Sequence, residues 1–105
     1  MSLSTHVLDA SRGAPAAGVA VRLTSTDGRE LATAVTDDDG RVRELDAPSA
    51  GDYRLTFATG EYFAAHGQRG FYPEVVVTFT VVDPQQHHHV PLLLSPYAYS
   101  TYRGS

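Results

Sequence analysis

Apolar and polar residues alternate with a period of two along most of the chain. In 18–25, for example, Val19, Val21 and Leu23 share one face and polar or small residues share the other. Such alternation, in stretches rich in β-branched and aromatic residues, predicts half-buried strands. The stretches with this pattern are 18–25, 30–37, 41–45, 52–58 and 74–82.

Turn signals and one helical stretch separate these strands. Asp-Gly pairs occur in 26–30 and 37–41, where glycine permits the positive φ that tight hairpin turns need. The segment 59–67 is the one candidate helix, with Thr59 or Gly60 as its cap and a closing glycine. Seven or eight short strands with frequent turns predict an all-β sandwich of two antiparallel sheets.

Composition limits the class of protein. The 105 residues predict one domain, 1–105. A formal net charge of -4 without any basic block disfavours nucleic acid or an anionic membrane as a partner. There is no cysteine, which excludes a disulfide framework and a thiol nucleophile and fits a reducing compartment. Neither a signal peptide nor a membrane span is visible, so a cytoplasmic location is expected.

Three adjacent histidines open the next predicted strand, 87–95. Its alternation places His87 and His89 on the outward face, and it places His88 on the core side or at the rim. They fit a solvated strand end, an acid–base site, or a zinc site. Zinc would need a third ligand such as His6 or His66.

The last segment, 95–105, is unusually aromatic for a chain end. It contains Tyr97, Tyr99, Tyr102 and Arg103. Tyrosine and arginine are favoured in buried interfaces. The alternative is a final edge strand whose aromatic side chains fill the rim of the sandwich.

Four segments, taken together, resemble one known family. They are "LSTHVLD" (3–9), "DGR" (39–41), "FYPEVVVTF" (71–79) and "HHHVPLLLSPYAYSTYRGS" (87–105). In this order they are similar to the 5-hydroxyisourate hydrolases, the transthyretin-like enzyme family of urate degradation. The closing "YRGS" (102–105) is the most specific element, and the resemblance covers essentially the whole chain.

The resemblance implies a fold, an assembly and a reaction. The fold would be a transthyretin-like sandwich of two four-stranded antiparallel sheets with one short helix. The assembly would be a homotetramer with active sites at the dimer–dimer interface. The reaction would open the ring of 5-hydroxyisourate to give 2-oxo-4-hydroxy-4-carboxy-5-ureidoimidazoline. No metal or organic cofactor is implied.

The resemblance also carries site residues over to this sequence. The implied catalytic residues are His6, Arg41, His89 and Ser105, and the implied substrate-binding residues are Arg103, Tyr102 and His87. The two catalytic histidines would activate water and return its proton, and the arginine of "DGR" would stabilise the oxyanion. One departure is His88, where the family usually has tyrosine, and altered local packing is expected there.

Two other functions are alternatives to hydrolysis of 5-hydroxyisourate. A transthyretin-like carrier would share the fold and bind a small ligand without catalysis. It would lack the terminal "YRGS" and the histidine–arginine set. A small zinc hydrolase would instead use His6, His87 and His89 as ligands.

Overall fold

The computed structural model describes residues 2–105, which form nine strands and one helix. The elements are β1 (Leu3–Asp9), β2 (Ala14–Pro15), β3 (Ala20–Ser25), β4 (Glu30–Val35), β5 (Arg41–Leu45), β6 (Gly51–Phe57), α1 (Thr59–Ala65), β7 (Val75–Val81), β8 (His88–Ser95) and β9 (Ala98–Thr101). All six strands that the alternation predicts are present within one or two residues at each end.

The strands form two sheets. The first has the order β2-β1-β8-β9, with β5 also paired to β1, and the second has the order β4-β3-β6-β7. The predicted all-β sandwich with one short helix is confirmed, but two details differ. The first sheet has a fifth member because β2 and β5 pair with different parts of β1. In addition, β1 and β8 run parallel, so that sheet is not wholly antiparallel.

The core lies between the sheets and follows the predicted alternation. Val19, Val21 and Leu23 are buried, as are Tyr53, Leu55 and Phe57 of the neighbouring strand. In the edge strand β7 only the two ends are fully buried, and the inward residues between them are half-buried. An edge strand has a neighbour on one side only, so its apolar face is covered less completely.

The helix is shorter than predicted and is capped differently. It spans Thr59–Ala65, and the residue at its N-cap is Ala58, which makes no side-chain hydrogen bond to the helix. The Thr59 hydroxyl instead donates to the Tyr72 carbonyl at 3.3 Å. Packing holds the helix in place: Tyr62 and Phe63 are buried, and the Tyr62 hydroxyl donates to the Asp9 carboxylate at 2.7 Å. No helix within residues 2–105 has the length and hydropathy needed to span a bilayer.

The aromatic tail forms the last edge strand. Strand β9 pairs antiparallel with β8, and Gly104 then returns to form an isolated bridge with His89. Tyr97, Tyr99 and Tyr102 are exposed, so the tyrosines of this tail do not fill the rim of the sandwich.

Candidate active site

Three neighbouring strands carry the candidate catalytic side chains. On β1, His6 lies opposite Arg41 of β5, and Ser4 lies opposite His89 of β8. Ser4 and His6 are two residues apart, so they share the face that points away from the core. The sheet therefore gathers two imidazoles and one guanidinium on its outer face.

The turn before β5 explains the "DGR" sequence. The Asp37 carboxylate accepts hydrogen bonds from the backbone N–H groups of Asp39 and Arg41, each at 2.9 Å. Gly40 has φ +75°, and a Cβ on it would lie 2.3 Å from the carbonyl oxygen of Val7. Only glycine combines this φ with so close a backbone approach. The turn thereby fixes the start of β5 and the strand position of Arg41.

The same turn sets the tautomer of His6. Its Nε2 lies 2.9 Å from the carbonyl oxygen of Asp39. A carbonyl only accepts, so Nε2 carries the proton and Nδ1 holds the lone pair. Among residues 2–105 the Arg41 guanidinium makes no hydrogen bond or ion pair, whereas Arg43 pairs with Asp39 at 3.2 Å. The site thus offers an imidazole lone pair and an uncommitted cation.

A row of hydrogen bonds holds the other two histidines. The Ser4 hydroxyl lies 2.8 Å from Nδ1 of His89 and 2.9 Å from Nε2 of His87. The Ser2 hydroxyl lies 2.5 Å from Nδ1 of His87. These contacts agree with the predicted alternation, which places His87 and His89 on the same face of the strand. His88 points the other way, is buried, and bonds through Nδ1 to the Gln86 carbonyl at 2.8 Å.

The surroundings of His89 favour its neutral form. Burial is the main cause that lowers its pKa from the usual 6.5, and electrostatic repulsion from Arg41, and from His6 and His87 in their charged forms, lowers it further. A hydrogen bond from the ring to the backbone of Ser4 acts in the opposite direction. At neutral pH this imidazole is therefore available as a base.

The C-terminal residues differ in the contacts that they make with the candidate site. The Gly104 N–H donates to the His89 carbonyl at 2.8 Å, and a Cβ at residue 104 would clash with the His89 ring. Arg103 bonds through Nη2 to the Gln86 side-chain oxygen at 3.0 Å. Tyr102 is exposed, and Ser105 is also exposed with no hydrogen-bond partner among residues 2–105.

Two separate hollows flank the candidate residues. One of about 330 Å³ opens between the start of β8, the tail and β7, and it is lined by His89, Tyr102 and Arg103 among others. A second of about 130 Å³ is lined by Ser4 and Arg41. Within one chain, the seven predicted residues do not surround a single enclosed cavity. A further hollow of about 700 Å³ lies on the second sheet and is lined by none of them.

The zinc hypothesis finds no ligand set in the part of the chain that the structure describes. Among residues 2–105 no three His, Asp or Glu side chains are grouped closely enough to hold a metal ion. His66 lies at the helix end, where its Nδ1 is 3.3 Å from Arg12 and its ring packs on Tyr62. It is therefore engaged outside the candidate site.

Sequence reasoning missed three contributors to the site. Ser2, Ser4 and Gly104 contact the two outward histidines directly. Ser4 could have been found, because it shares its strand face with His6 at a spacing of two. The pairing of β1 with β8, which brings Ser4 to His89, could not be predicted, because alternation does not specify which strands are neighbours.

The fold and the site define a transthyretin-like sandwich with a histidine–arginine cluster on the outer face of one sheet. The HIUase/Transthyretin family description matches residues 3–104. The chain belongs to this family.

Individual relatives agree with that membership. The chain is 49% identical to a 5-hydroxyisourate hydrolase of Caulobacter vibrioides, across 98% of this chain and 97% of the relative. The solved structure of Klebsiella pneumoniae 5-hydroxyisourate hydrolase is 42% identical with a TM-score of 0.91, across 99% and 93% of the two chains. Sea bream transthyretin, solved with thyroxine, is 34% identical with a TM-score of 0.90, across 97% and 93%.

Proposed function

We propose that this chain hydrolyses 5-hydroxyisourate to 2-oxo-4-hydroxy-4-carboxy-5-ureidoimidazoline. One observation carries the proposal: β5, β1 and β8 bring Arg41, His6 and His89 together on one sheet face. The relatives named as 5-hydroxyisourate hydrolases at 42–49% identity support the same reaction.

Water activation is assigned to the two imidazoles. In this proposal a water molecule binds between Nδ1 of His6 and Nε2 of His89, and the neutral His89 takes its proton. The hydroxide oxygen bonds to a ring carbonyl carbon, the carbon–nitrogen bond then breaks, and the imidazolium returns the proton to the leaving nitrogen. A well-placed general base contributes about 10²–10⁴-fold to such a step.

Charge stabilisation is assigned to the arginines. The uncommitted guanidinium of Arg41 suits the oxyanion that develops on the attacked carbonyl. Arg103, with Tyr102 and His87, is proposed to bind the flat substrate, and Ser105 to orient the water. No metal or organic cofactor takes part in the proposed reaction. The proposed location is the cytoplasm, which fits the absence of cysteine.

Self-association as a homotetramer is part of the proposal. Tyr97, Tyr102 and Phe71 are 60–70% exposed, which is unusual for large aromatic side chains. The two hollows beside the site are open and separate in one chain. A second copy laid over this sheet face would cover the tyrosines and enclose the site.

The direct test supplies the substrate and follows its loss. Urate oxidase generates 5-hydroxyisourate in the cuvette, the protein is added, and the near-ultraviolet absorbance is recorded. We expect acceleration over spontaneous decay, and His89→Asn should lose about 10²–10⁴-fold in kcat with the same mass by light scattering. No acceleration by the native chain would reject the enzyme function, and native turnover by His89→Asn would remove that residue from the mechanism.

A small-ligand carrier is the second candidate. The fold alone does not separate a carrier from a hydrolase, because the TM-scores to thyroxine-bound sea bream transthyretin and to the Klebsiella pneumoniae hydrolase are 0.90 and 0.91. The histidine–arginine cluster favours the enzyme. Tight thyroxine binding without any hydrolysis would favour the carrier.

A further inference from the structure

Ser2, His87, Ser4 and His89 form one unbroken row of hydrogen bonds on the outer sheet face. Both ring nitrogens of His87 are engaged, one by each serine, at 2.5 and 2.9 Å. Ser4 continues the row to Nδ1 of His89 at 2.8 Å. Among residues 2–105, Nε2 of His89 has no hydrogen-bond partner, so it is the ring nitrogen left for a substrate or water.

Counting protons limits how this row is arranged. A hydroxyl has one proton and a neutral imidazole has one N–H. In one direction, Nδ1–H of His89 donates to Ser4, Ser4 donates to Nε2 of His87, and Nδ1–H of His87 donates to Ser2. In the reverse direction, Ser4 donates to Nδ1 of His89, and Nε2 of His89 carries the proton. A third pattern, in which Ser4 accepts from both rings, leaves its own proton without an acceptor among residues 2–105.

Hydrogen bonding favours the Nδ1–H form of His89. The Ser4 hydroxyl lies 2.8 Å from Nδ1. The backbone of Ser4 raises the pKa of this ring, which is the effect of a carbonyl that accepts an imidazole N–H. The charged or titratable groups that act on the ring are Arg41 on β5, His6 on β1 and His87 just before β8. The Nδ1–H form is also the one that gives the proposed reaction a base.

We propose that Ser4 is a positioning residue, which accepts the Nδ1–H of His89 and so keeps the Nε2 lone pair available for water. This proposal rests on the hydrolytic function proposed above. It adds a residue that touches no reacting atom and acts by selecting one tautomer and one ring orientation of the base.

The tautomer is measured directly by nitrogen NMR. In protein with ¹⁵N-labelled histidine, long-range ¹H–¹⁵N spectra at pH 8 distinguish a protonated ring nitrogen from one with a lone pair. We expect His89 in the native chain to be protonated at Nδ1, and Ser4→Ala to show a mixture of the two forms. Protonation at Nε2 in the native chain, or an unchanged pure form in Ser4→Ala, would overturn the proposal.

Kinetics gives an independent readout. Losing one hydrogen bond should reduce kcat of Ser4→Ala roughly tenfold with little change in KM, and Ser4→Thr, which keeps the hydroxyl, should restore most of it. The acidic limb of kcat/KM should move to lower pH in Ser4→Ala, because the imidazolium has lost an acceptor. Movement to higher pH would mean that Ser4 donates to His89, which contradicts the proposal.

A matched control comes from the next residue. The Thr5 hydroxyl donates to the Val90 carbonyl at 2.6 Å, which ties the same two strands on the core face. Thr5→Val should lower the melting temperature and keep the native His89 tautomer and kcat. If Thr5→Val also changed the native tautomer of His89, the effect of Ser4→Ala would be explained by general damage to the structure, and not by the Ser4 hydroxyl. If the native chain shows no hydrolysis, the proposed function fails, and the NMR result still decides whether Ser4 sets the tautomer.

Discussion

Gly104→Ala tests whether the C-terminal tail packs against the ring of His89, the proposed base. A Cβ at residue 104 would lie 2.4 Å from Cδ2 of His89, 3.1 Å from its Cγ and 3.3 Å from its Cβ. Gly104 has no positive φ, so alanine strains no backbone angle there. The whole effect of the substitution is this contact with the imidazole.

The size of the effect follows from that distance. Ordinary van der Waals contact begins near 3.4 Å, so the ring or the tail must move by about 1 Å. A displacement of about 1 Å of a catalytic group costs on the order of 10²-fold in rate. If the tail moves instead, the 2.8 Å bond from Gly104 to the His89 carbonyl is weakened, and Arg103 and Ser105 are displaced. Global stability should fall by only about 1 kcal/mol, the value of one hydrogen bond.

The assay compares kcat for 5-hydroxyisourate with urea unfolding, and Gly18→Ala is the matched control. Gly18 has φ +81° and nothing within 4 Å of a built Cβ. Alanine there should cost about 1–2 kcal/mol of stability, since the left-handed region is strained, and should leave kcat unchanged. Native kcat in Gly104→Ala would refute the packing of the tail against His89.

Three further predictions concern protonation, stability and metals. The kcat/KM should fall as the pH drops through the folded-state pKa of His89, which burial and nearby positive charge hold below 6.5; an acidic limb above 6.5 would contradict this. Asp9→Asn should lose about 2 kcal/mol of unfolding free energy at pH 7, measured in urea, because the carboxylate accepts from Tyr62 and the turn after β1. Burial opposes ionisation of Asp9, but these hydrogen bonds lower its pKa below 3.8, so the deficit should shrink as the pH falls through that pKa. Exhaustive chelation should leave turnover unchanged, and a loss restored by zinc would revive the metal hypothesis.

Much of the fold is predictable from alternation alone. The period of two identified which side chains of β3 and β6 are buried, because one face of each strand must pack on the other sheet. It did not identify pairing partners, which is why the parallel contact between β1 and β8 was not foreseen. The N-cap of α1 was also predicted wrongly. The helix is held by the packing of Tyr62 and Phe63, and no side-chain hydrogen bond caps its N-terminus.

The candidate site was predictable only in part. Parity put His87 and His89 on one face, and the resemblance supplied His6 and Arg41, which the structure brings onto the same sheet. Ser105 has no hydrogen-bond partner among residues 2–105, so its role stays a prediction. In the proposed tetramer, a second copy of the chain would define its surroundings.

The parallel pairing of β1 with β8 also has a kinetic consequence. The bonds that hold His87 and His89 join residues 83 to 85 positions apart. The β3–β4 hairpin closes a short loop and can form early, whereas β1 and β8 must close nearly the whole chain. On refolding from urea, backbone structure should therefore recover before catalysis, and hydrolytic activity should return with the slowest phase.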